Sequence, residues 1–362
     1  MPNLNHLTDP LNPVFTQALL EWFDHHGRKT LPWQLDRDPY RIWLSEIMLQ
    51  QTQVDTVIPY YLRFLDSFPD ISSLAYAHHD EVMNHWAGLG YYARARNLHK
   101  AAKLICEKHQ GLFPERFEDV LALPGIGKST AGAILAFSGE QRYPILDGNV
   151  KRVLTRFFAI PGAPSKKSVE TRLWELADNL TPKYRIADYT QAIMDFGATL
   201  CTRSKPRCHD CPVNKYCEAF RDDAVDRFPE PKARAVKKQK RTRMLVIEDS
   251  GQRILLTKRP PTGIWGGLWS LPQIDEPDAD FEQWSLDNLG LEINGAIDME
   301  LLRHSFTHFD LTIQPIACRS QPESCVIMDA DSYLWYNPQT DSGAGVPAAV
   351  KRIFERLIQN RD

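Results

Sequence analysis

The stretch LALPGIGKSTA, residues 121–131, sets a Gly-x-Gly turn between a short apolar segment and a helix rich in small residues. Glycine permits a tight turn at Gly125 and Gly127, and the backbone N–H groups at the start of the next helix can bind a phosphate. A Gly-Lys-Ser sequence also ends a nucleotide-binding P-loop. That loop needs glycine where this chain has Ala122, and a strand where the pattern predicts a helix. The stretch therefore favours a phosphate-binding helical hairpin over a nucleotide cradle.

The composition is that of a globular protein with more than one domain. The chain has 362 residues, of which 43% are hydrophobic and 25% charged, which is enough for two or three separate cores. Its start has no apolar run of signal-peptide length, and no stretch approaches the roughly 20 apolar residues that span a bilayer. We therefore expect a cytoplasmic protein with no membrane partner, associated with the nucleoid if the source is bacterial.

Charge is distributed unevenly along the chain. Residues 1–243 hold 34 Lys and Arg against 28 Asp and Glu, a net of +6, whereas residues 244–362 hold 9 against 18, a net of −9. A basic first part suits a polyanionic partner because Lys and Arg neutralise phosphates. An uneven solvated surface would give the same counts.

The sequence pattern changes near residue 243, from one typical of helices to one typical of strands. Apolar residues recur at spacings of three and four up to about residue 200, which predicts helices. Residues 229–243 combine two prolines with seven Lys and Arg, which indicates a linker. Beyond it, residues 244–257 have the pattern of strand, turn and strand, and residues 348–358 that of a helix.

Four of the seven cysteines lie within 17 residues, in the order Cys201-x6-Cys208-x2-Cys211-x5-Cys217. An odd total in an intracellular chain disfavours a disulfide framework. Such a loop can hold zinc or an iron–sulfur cluster. Structural zinc usually draws its thiolates as two close pairs, and this loop has only one, so the spacing favours a [4Fe–4S] cluster.

The Gly-x-Gly turn, the sequence LDGNV at 146–150 and the four-cysteine loop follow one another in the order of the helix-hairpin-helix DNA glycosylase superfamily. Within it the chain resembles the mismatch adenine DNA glycosylases, the MutY family, over nearly its whole length. The resemblance implies a multidomain fold: an all-α helix-hairpin-helix glycosylase domain with a [4Fe–4S] loop, and a C-terminal α+β Nudix-like domain. The expected divisions are 1–228 for the helical catalytic region, comprising a six-helix barrel module and an iron–sulfur module, 229–243 for the basic linker, and 244–362 for the 8-oxoguanine recognition domain.

Two carboxylates match the catalytic pair of this family, Glu46 in the helical run 43–53 and Asp147. Apolar neighbours that bury Glu46 would raise its pKa. Cleaving an N-glycosidic bond through a cationic sugar needs a proton for the leaving base and negative charge beside the sugar. We expect Glu46 to be the acid and the activator of water, and Asp147 the ionised carboxylate that stabilises the cation.

Ser129 separates the chain from a sister family. In the endonuclease III-like lyases a lysine holds this position and attacks the sugar. With serine there, the resemblance implies a monofunctional enzyme that leaves the abasic site uncut. Lys151, one turn beyond Asp147, is expected to contact a phosphate or to trap the opened sugar slowly. The turn residues Gly125, Gly127, Lys128 and Ser129 match the family's contacts to DNA.

Adenine must leave the duplex to reach the carboxylates. Gln51, Thr52, Leu89 and Tyr91 match family positions that contact the lesion pair and enter the base stack, although Leu89 and Tyr91 would otherwise be assigned to a core. Trp33 and Gln191 are further candidates for the adenine pocket.

The C-terminal domain lacks a Nudix box of the form R-E-x-x-E-E after Gly267, so the Mg²⁺ ligands of a pyrophosphatase are missing. We therefore expect binding. The triplet Phe306, Thr307 and His308 matches the family's probe of 8-oxoguanine, with Thr307 where serine is commoner. Its hydroxyl can still bond to the oxidised base, but the added methyl changes the fit.

The sequence thus predicts a monomeric enzyme of base excision repair that acts on double-stranded DNA with A:8-oxoG or A:G mispairs and removes the adenine. Two alternatives stay open. One is a bifunctional glycosylase and lyase for oxidised pyrimidines, which Ser129 and the C-terminal domain disfavour. The other is a non-catalytic iron–sulfur protein that binds DNA, which would not need Glu46 together with Asp147.

Overall fold

The structure is a computed structural model and describes residues 11–231, 236–276, 279–306, 308–321, 332–341 and 343–359. The chain divides into two compact units. The first combines Met1–Ala75 with Lys100–Arg234, and the second combines Tyr76–His99 with Ala235–Asp362.

The residues that precede the sheet form helices, as the spacing of apolar residues predicts. In chain order they are α1 (Leu11–His26), α2 (Pro39–Leu49), α3 (Val54–Ser67), α4 (Ile71–Tyr76), α5 (His79–Trp86), α6 (Ala93–His109), α7 (Phe117–Leu121), α8 (Lys128–Gly139), α9 (Gly148–Phe157), α10 (Lys167–Leu180), α11 (Ile186–Asp195) and α12 (Glu218–Arg221). Helix α5 belongs to the second unit, and α4 and α6 have residues in both.

The core of the first unit lies where α1 packs against α9, α10 and α11. Leu19, Leu154 and Leu173 are fully buried there, and the ring of Phe15 meets that of Phe157 edge to face at 4.8 Å. Each such side chain contributes about 1.5–3 kcal/mol by burial. This core holds the first turn of α9, which carries site residues, against α11.

The predicted helical hairpin is present as α7, a turn and α8. Gly125 has φ +83°, a conformation that favours glycine. Gly127 precedes the first turn of α8, and a Cβ built there would meet nothing within 4 Å. Packing within the protein therefore does not demand glycine at Gly127, so an approaching external group has room at this helix start.

Helix α11 continues into a single π-helical turn, Phe196–Leu200. Such turns are frequent at functional sites. A Cβ on Gly197 would lie 2.6 Å from Cβ of Asn149. The absence of a side chain at Gly197 therefore lets this turn pack directly on the start of α9.

The second unit is built on a mixed sheet of eight strands in the described residues. They are β1 (Lys238–Glu248), β2 (Ile254–Lys258), β3 (Trp269–Ser270), β4 (Gln273–Ile274), β5 (Ile293–Asp298), β6 (Leu302–Ser305), β7 (Phe309–Ser320) and β8 (Tyr333–Tyr336). The central order is β3-β2-β1-β7-β5, with β4 on β1, β6 on β7 and β8 on β2. Strands β1 and β7 are parallel.

Two helices accompany this sheet, α13 (Phe281–Leu289) and α14 (Ala348–Gln359). Asp280 caps α13 by accepting a hydrogen bond from the Gln283 N–H at 3.0 Å. Apolar side chains of β1, β5 and β7 form a core with Leu289 and Leu291. The predicted α+β character of this part is confirmed.

The predicted linker 229–243 is too long at its C-terminal end. Strand β1 already begins at Lys238, and residues 238–243 pair in register with β7. The basic composition hid the strand because its first four side chains are exposed, while the neighbouring backbone supplies the hydrogen bonds that form it.

The sequence also placed residues 76–99 with the helical region, whereas they group with the C-terminal residues. Lys258 Nζ donates to an Asp80 carboxylate oxygen at 2.8 Å, and Arg96 Nη1 donates to the Gly266 carbonyl at 2.6 Å. Contacts this far apart along the chain leave no local pattern.

In the described part of the chain, no helix has the length and apolar character needed to cross a bilayer.

Candidate active site

A cleft of about 720 Å³ opens in the first unit and brings seven of the predicted site residues together. The predicted residues that line it are Trp33, Glu46, Gln51, Thr52, Ser129, Asp147 and Gln191. The other predicted residues that the structure describes do not line it: Gly125, Gly127, Lys128, Lys151 and the four cysteines in the first unit, and Leu89, Tyr91, Phe306 and His308 in the second.

Glu46 lies in α2, where its neighbours Ser45 and Ile47 are buried. Burial, and to a smaller extent the negative charge of Asp147, raises the pKa of the Glu46 carboxyl from an ordinary value of 4.5 to about 8. The two carboxyl groups are therefore close enough to interact. At neutral pH Glu46 is mostly protonated, which makes it a proton donor.

Asp147 is fixed by the start of α9. Its Oδ1 accepts the Val150 N–H at 2.7 Å, and its Oδ2 accepts from Asn149 Nδ2 at 3.2 Å. Burial raises the pKa of Asp147, whereas these hydrogen bonds and the charge of Arg152 oppose that rise. Burial and the charge of Asp147 both raise the pKa of Glu46, and no described hydrogen bond or cation opposes them, so the proton of the pair resides on Glu46.

The structure adds a network that the sequence did not predict, built from Arg28, Gln191 and Asp195. The Arg28 guanidinium donates to Asp195 Oδ1 at 2.6 and 2.9 Å, and its backbone N–H donates to Oδ2 at 2.7 Å. Gln191 Nε2 donates to the same Oδ1 at 2.8 Å. Asp195 is 1% exposed. Because Arg28 and Gln191 both donate to it, its carboxylate orients these two side chains, which line the cleft. The spacing of Gln191 and Asp195 by one helical turn was the only available signal.

Trp33 is buried beside this network, and its ring meets that of Tyr61 edge to face at 5.3 Å. Gln51 has φ +60° and is exposed, and Thr52 is half-buried. Both belong to the turn that follows α2, so the turn presents polar side chains at the cleft.

Ser129 links the helical hairpin to the segment that leads into Asp147, because its Oγ accepts a hydrogen bond from the Leu146 N–H at 2.9 Å. The lysines nearby point elsewhere. Lys151 Nζ is paired with Glu170 at 2.6 Å, and Lys128 Nζ lies 4.2 Å from the centre of the Trp174 ring. No lysine is found among the described residues that line the cleft.

Leu89 and Tyr91 lie in the turn between α5 and α6 and differ in exposure. Leu89 is buried, whereas Tyr91 is 45% exposed and has φ +50°. The Arg94 guanidinium lies over the Tyr91 ring at 5.4 Å and donates to the Gly90 carbonyl at 3.1 Å. The turn therefore presents tyrosine at the surface and leucine to the interior.

The four clustered cysteines line one apolar cavity with Val153, Phe157 and Phe196. All four thiols are free of disulfides. Burial raises the pKa of Cys211 to about 12 and that of Cys217 to about 11. Thiols this buried ionise only when a cationic group compensates them.

These residues fit an iron–sulfur cluster. The four thiols line one apolar cavity, as the ligands of a cluster held by four cysteine thiolates must. Arg156 Nη1 lies 3.5 Å from Cys201 Sγ and also donates to the Thr202 carbonyl at 2.6 Å. Cys201, Cys208, Cys211 and Cys217 are the residues that would hold the cluster, and its binding would contribute to the folding of their loop.

Phe306 and His308 lie in the turn of the β6–β7 hairpin. The Phe306 N–H donates to the Phe309 carbonyl at 2.9 Å, and the two rings stack at 4.6 Å. Phe306 also contacts Trp265, with ring centres 5.7 Å apart. His308 is exposed. The third predicted member, Thr307, lies outside the described residues.

Three family profiles match successive parts of the chain. Residues 44–179 match the HhH-GPD superfamily base excision DNA repair proteins, residues 201–217 match the iron-sulfur binding domain of endonuclease III, and residues 243–356 match the NUDIX domain. The second match spans the four cysteines, and the prediction of a [4Fe–4S] cluster is confirmed.

Similar proteins share most of this length. The adenine DNA glycosylase of Buchnera aphidicola subsp. Acyrthosiphon pisum (strain APS) is 38% identical over 347 residues, which cover 96% of this chain and 98% of that protein. The adenine DNA glycosylase of Homo sapiens is 33% identical over 408 residues, covering 96% and 74%. The solved structure of a thermostable thymine-DNA glycosylase is 27% identical and covers 61% of this chain and all of that one, with a TM-score of 0.54.

The helical hairpin, the paired carboxyls in one cleft, the cysteine loop and these relatives agree with one another. This chain belongs to the adenine DNA glycosylase family, a group of DNA-binding enzymes of base excision repair.

Proposed function

We propose that this protein hydrolyses the N-glycosidic bond of adenine mispaired with 8-oxoguanine or guanine in double-stranded DNA. The observation that carries the proposal is the placement of Glu46 and Asp147 in one cleft, with the raised pKa on Glu46. Two neighbouring carboxyls whose protonation states differ are what acid-assisted glycoside cleavage requires.

Each carboxyl has a distinct part in the reaction. Protonated Glu46 donates to the leaving adenine while the bond to the sugar breaks, and the resulting carboxylate then takes a proton from the attacking water. Asp147, held by the N–H of Val150 and by Asn149, places negative charge beside the cationic sugar. A fixed charge at a developing cation is worth several kcal/mol in a water-poor site.

The adenine enters the pocket after it leaves the stack. Trp33 and Gln191 supply an apolar surface and an amide to receive it, and Arg28 adds a cation that Asp195 orients. Gln51, Thr52, Leu89 and Tyr91 contact the lesion pair, and exposed Tyr91 is the member of its turn that is available to a base.

The reaction stops at an abasic site. Lyase chemistry needs an amine that attacks the sugar, and the described lining of the cleft contains none. Lys151 is held by Glu170, and Lys128 by the Trp174 ring. Ser129, in the position of the lyase lysine, ties the hairpin to Leu146.

Domain roles follow the predicted divisions, with the strand boundary moved to Lys238. The cluster held by the four cysteines is structural and positions DNA, as do Gly125, Gly127 and Lys128 at the hairpin. The turn formed by Phe306, Thr307 and His308 reads 8-oxoguanine opposite the adenine.

The proposal is tested with three duplexes, carrying adenine opposite 8-oxoguanine, adenine opposite guanine, or thymine glycol. Each is incubated with the protein, and cleavage is scored with and without hot alkali. We expect cleavage at adenine that depends on alkali. Cleavage at thymine glycol without alkali would show a bifunctional lyase, and no cleavage of any duplex would show a protein that only binds DNA.

A further inference from the structure

Three adjacent strands of the second unit carry a pair of arginines on one face. The registers place Arg241 of β1 and Arg303 of β6 on either side of Thr312 in β7. Directly paired residues share a face of a sheet, and neighbouring strands lie about 4.8 Å apart. The two arginine backbones are therefore roughly 10 Å apart, within the reach of two guanidinium groups that meet over Thr312.

Neither arginine is engaged by the protein itself. Both are exposed, and neither guanidinium has a hydrogen bond or an ion pair to any residue that the structure describes. They line a shallow cavity of about 430 Å³ together with Thr312 and Asp310. Two guanidinium groups that line one cavity, with no carboxylate among the described residues paired to either, form a site for a tetrahedral oxyanion such as phosphate.

The carboxylate in this cavity is already neutralised. Asp310 lies two residues before Thr312, on the same face of β7. Its oxygens accept from Ser305 Oγ, from Gln239 Nε2 at 3.1 Å and from Lys237 Nζ at 3.4 Å. These contacts lower the pKa of Asp310, with Ser305 making the largest contribution. The aspartate therefore holds its own partners and leaves the two arginines free for an anion.

The charge around Arg241 and Arg303 differs from that of the rest of the C-terminal domain. Residues 244–362 carry a net charge of −9, whereas residues 237–243, which lead into and begin β1, hold five Lys and Arg and no acid. The basic start of β1 is therefore the part of this domain that favours the approach of a polyanion such as DNA. Arg303 lies three residues before Phe306 on the same hairpin, about 10 Å along the strand. Because successive side chains of a strand face opposite sides, Phe306, whose ring contacts that of His304 at 4.6 Å, lies on the face opposite Arg303. A base held on the Phe306 side at the end of the hairpin leaves the phosphates of its own strand to pass on the arginine side.

We propose that Arg241 and Arg303 clamp one phosphodiester of the strand that contains 8-oxoguanine. This inference rests on the proposed reading of that base by the 306–308 turn. The contact of the two arginines with the phosphodiester increases affinity and fixes the position of the protein along the DNA, while the 306–308 turn recognises the base.

The test uses the full chain and a duplex with 2′-fluoro-2′-deoxyadenosine opposite 8-oxoguanine, since the fluorine destabilises the cationic sugar and blocks excision. Kd is measured by fluorescence anisotropy across a range of salt concentrations. In the double variant Arg241→Gln with Arg303→Gln, we expect the slope of log Kd against log salt to fall by about 0.9, the loss of one phosphate contact. A slope equal to that of the unmodified protein would overturn the clamp.

Arg319→Gln is the matched control, because Arg319 is exposed on the same strand β7 but seven residues further along and on the opposite face. It should leave the slope unchanged. If Arg319→Gln lowers the slope as much as either Arg241→Gln or Arg303→Gln alone, the effect is general charge loss and the clamp is refuted. The pair Arg241→Lys with Arg303→Lys keeps the charge and should keep the slope, which shows that the variant sheet is folded.

A second readout locates the phosphate. Methylphosphonate linkages, which lack the charge, are placed one at a time along the strand with 8-oxoguanine. One position should weaken binding by the unmodified protein and have no effect on the double variant. If the double variant remains sensitive at every position, the arginines hold no single phosphate. Excision at saturating enzyme is measured in parallel: loss of adenine excision in the unmodified protein would refute the proposed function alone, while the change in slope judges the clamp.

Discussion

The cleft of the first unit and the β6–β7 face of the second use charge in opposite ways. At the cleft, two buried carboxyl groups have hydrogen-bond partners within the protein. Asp195 accepts from the Arg28 guanidinium, and Asp147 accepts from the Val150 N–H at the start of α9. On the sheet face, Arg241 and Arg303 are exposed and have no partner among the described residues. Burial changes the protonation of a group, whereas exposure leaves its charge available to an incoming anion. Substitutions in the cleft should therefore change chemistry, and those on the sheet face should change salt-dependent binding.

The largest expected effect tests the chemistry of the cleft. Glu46→Gln should lower the rate of adenine excision by about 10⁴-fold, because the amide has no acidic proton to donate and cannot activate water. Single-turnover excision from the A:8-oxoG duplex measures this rate. Binding to the uncleavable duplex should be unchanged, since glutamine has nearly the same shape. Excision within tenfold of the unmodified protein would remove Glu46 from its assigned role.

Asp147→Asn should cost about 10³-fold in the same assay, because it removes the fixed charge beside the cationic sugar. Asparagine is also a good N-cap, so α9 should remain intact and the melting temperature should change little. That control separates loss of charge from loss of structure. A variant that retains full rate with a normal fold would show that the sugar cation is stabilised elsewhere.

The pH dependence of excision and of binding should distinguish the cleft from the sheet face without any substitution. The acid form of Glu46 is required, and its pKa is raised to about 8. The single-turnover rate should therefore be nearly constant from pH 6 to 7 and fall about tenfold per pH unit well above pH 8. The salt slope of binding, set by arginines, should not change over this range. A rate that stays constant to pH 9.5 would contradict the assignment of Glu46 as the acid.

The sequence predicted which carboxyls and cysteines the structure brings together, but not the residues that hold them in place. Glu46 and Asp147, which share one cleft, sit in motifs with fixed neighbours, and the four cysteines, which line one cavity, have a local spacing. Asp195 and Arg28 are 167 residues apart, so no motif contains both.

The same reason explains the boundary errors in the fold. Pairing with β7 creates the first half of β1, yet its sequence has the composition of a linker. Likewise the ion pair of Lys258 with Asp80 places residues 76–99 in the second unit. Features made by long-range contacts need the structure, whereas features made by local patterning do not.

The smallest expected effect concerns the support of the cleft. In Asp195→Asn, one oxygen still accepts, but the amide N–H groups that replace the other face a donor of Arg28 or Gln191, so a buried donor loses its acceptor. Hydrogen bonds to charged groups contribute about 1.5–3 kcal/mol each, but the Arg28 side chain is 32% exposed and water recovers part of the loss. We expect the free energy of unfolding of the first unit to fall by about 1–2 kcal/mol, measured by urea denaturation.

The matched control for this change is Glu170→Gln, which breaks the pair with Lys151 at a similar distance of 2.6 Å. Glu170 is 42% exposed and Asp195 only 1%, so the control should cost about 0.5 kcal/mol or less. Asp195 accepts hydrogen bonds from both Arg28 and Gln191, whereas Glu170 accepts one from Lys151, so the difference between the variants measures the combined effect of burial and of the additional hydrogen bonds. Equal losses would mean that neither burial nor the additional hydrogen bonds strengthen the Asp195 network. The difference between the cleft and the sheet face would then apply to protonation but not to stability.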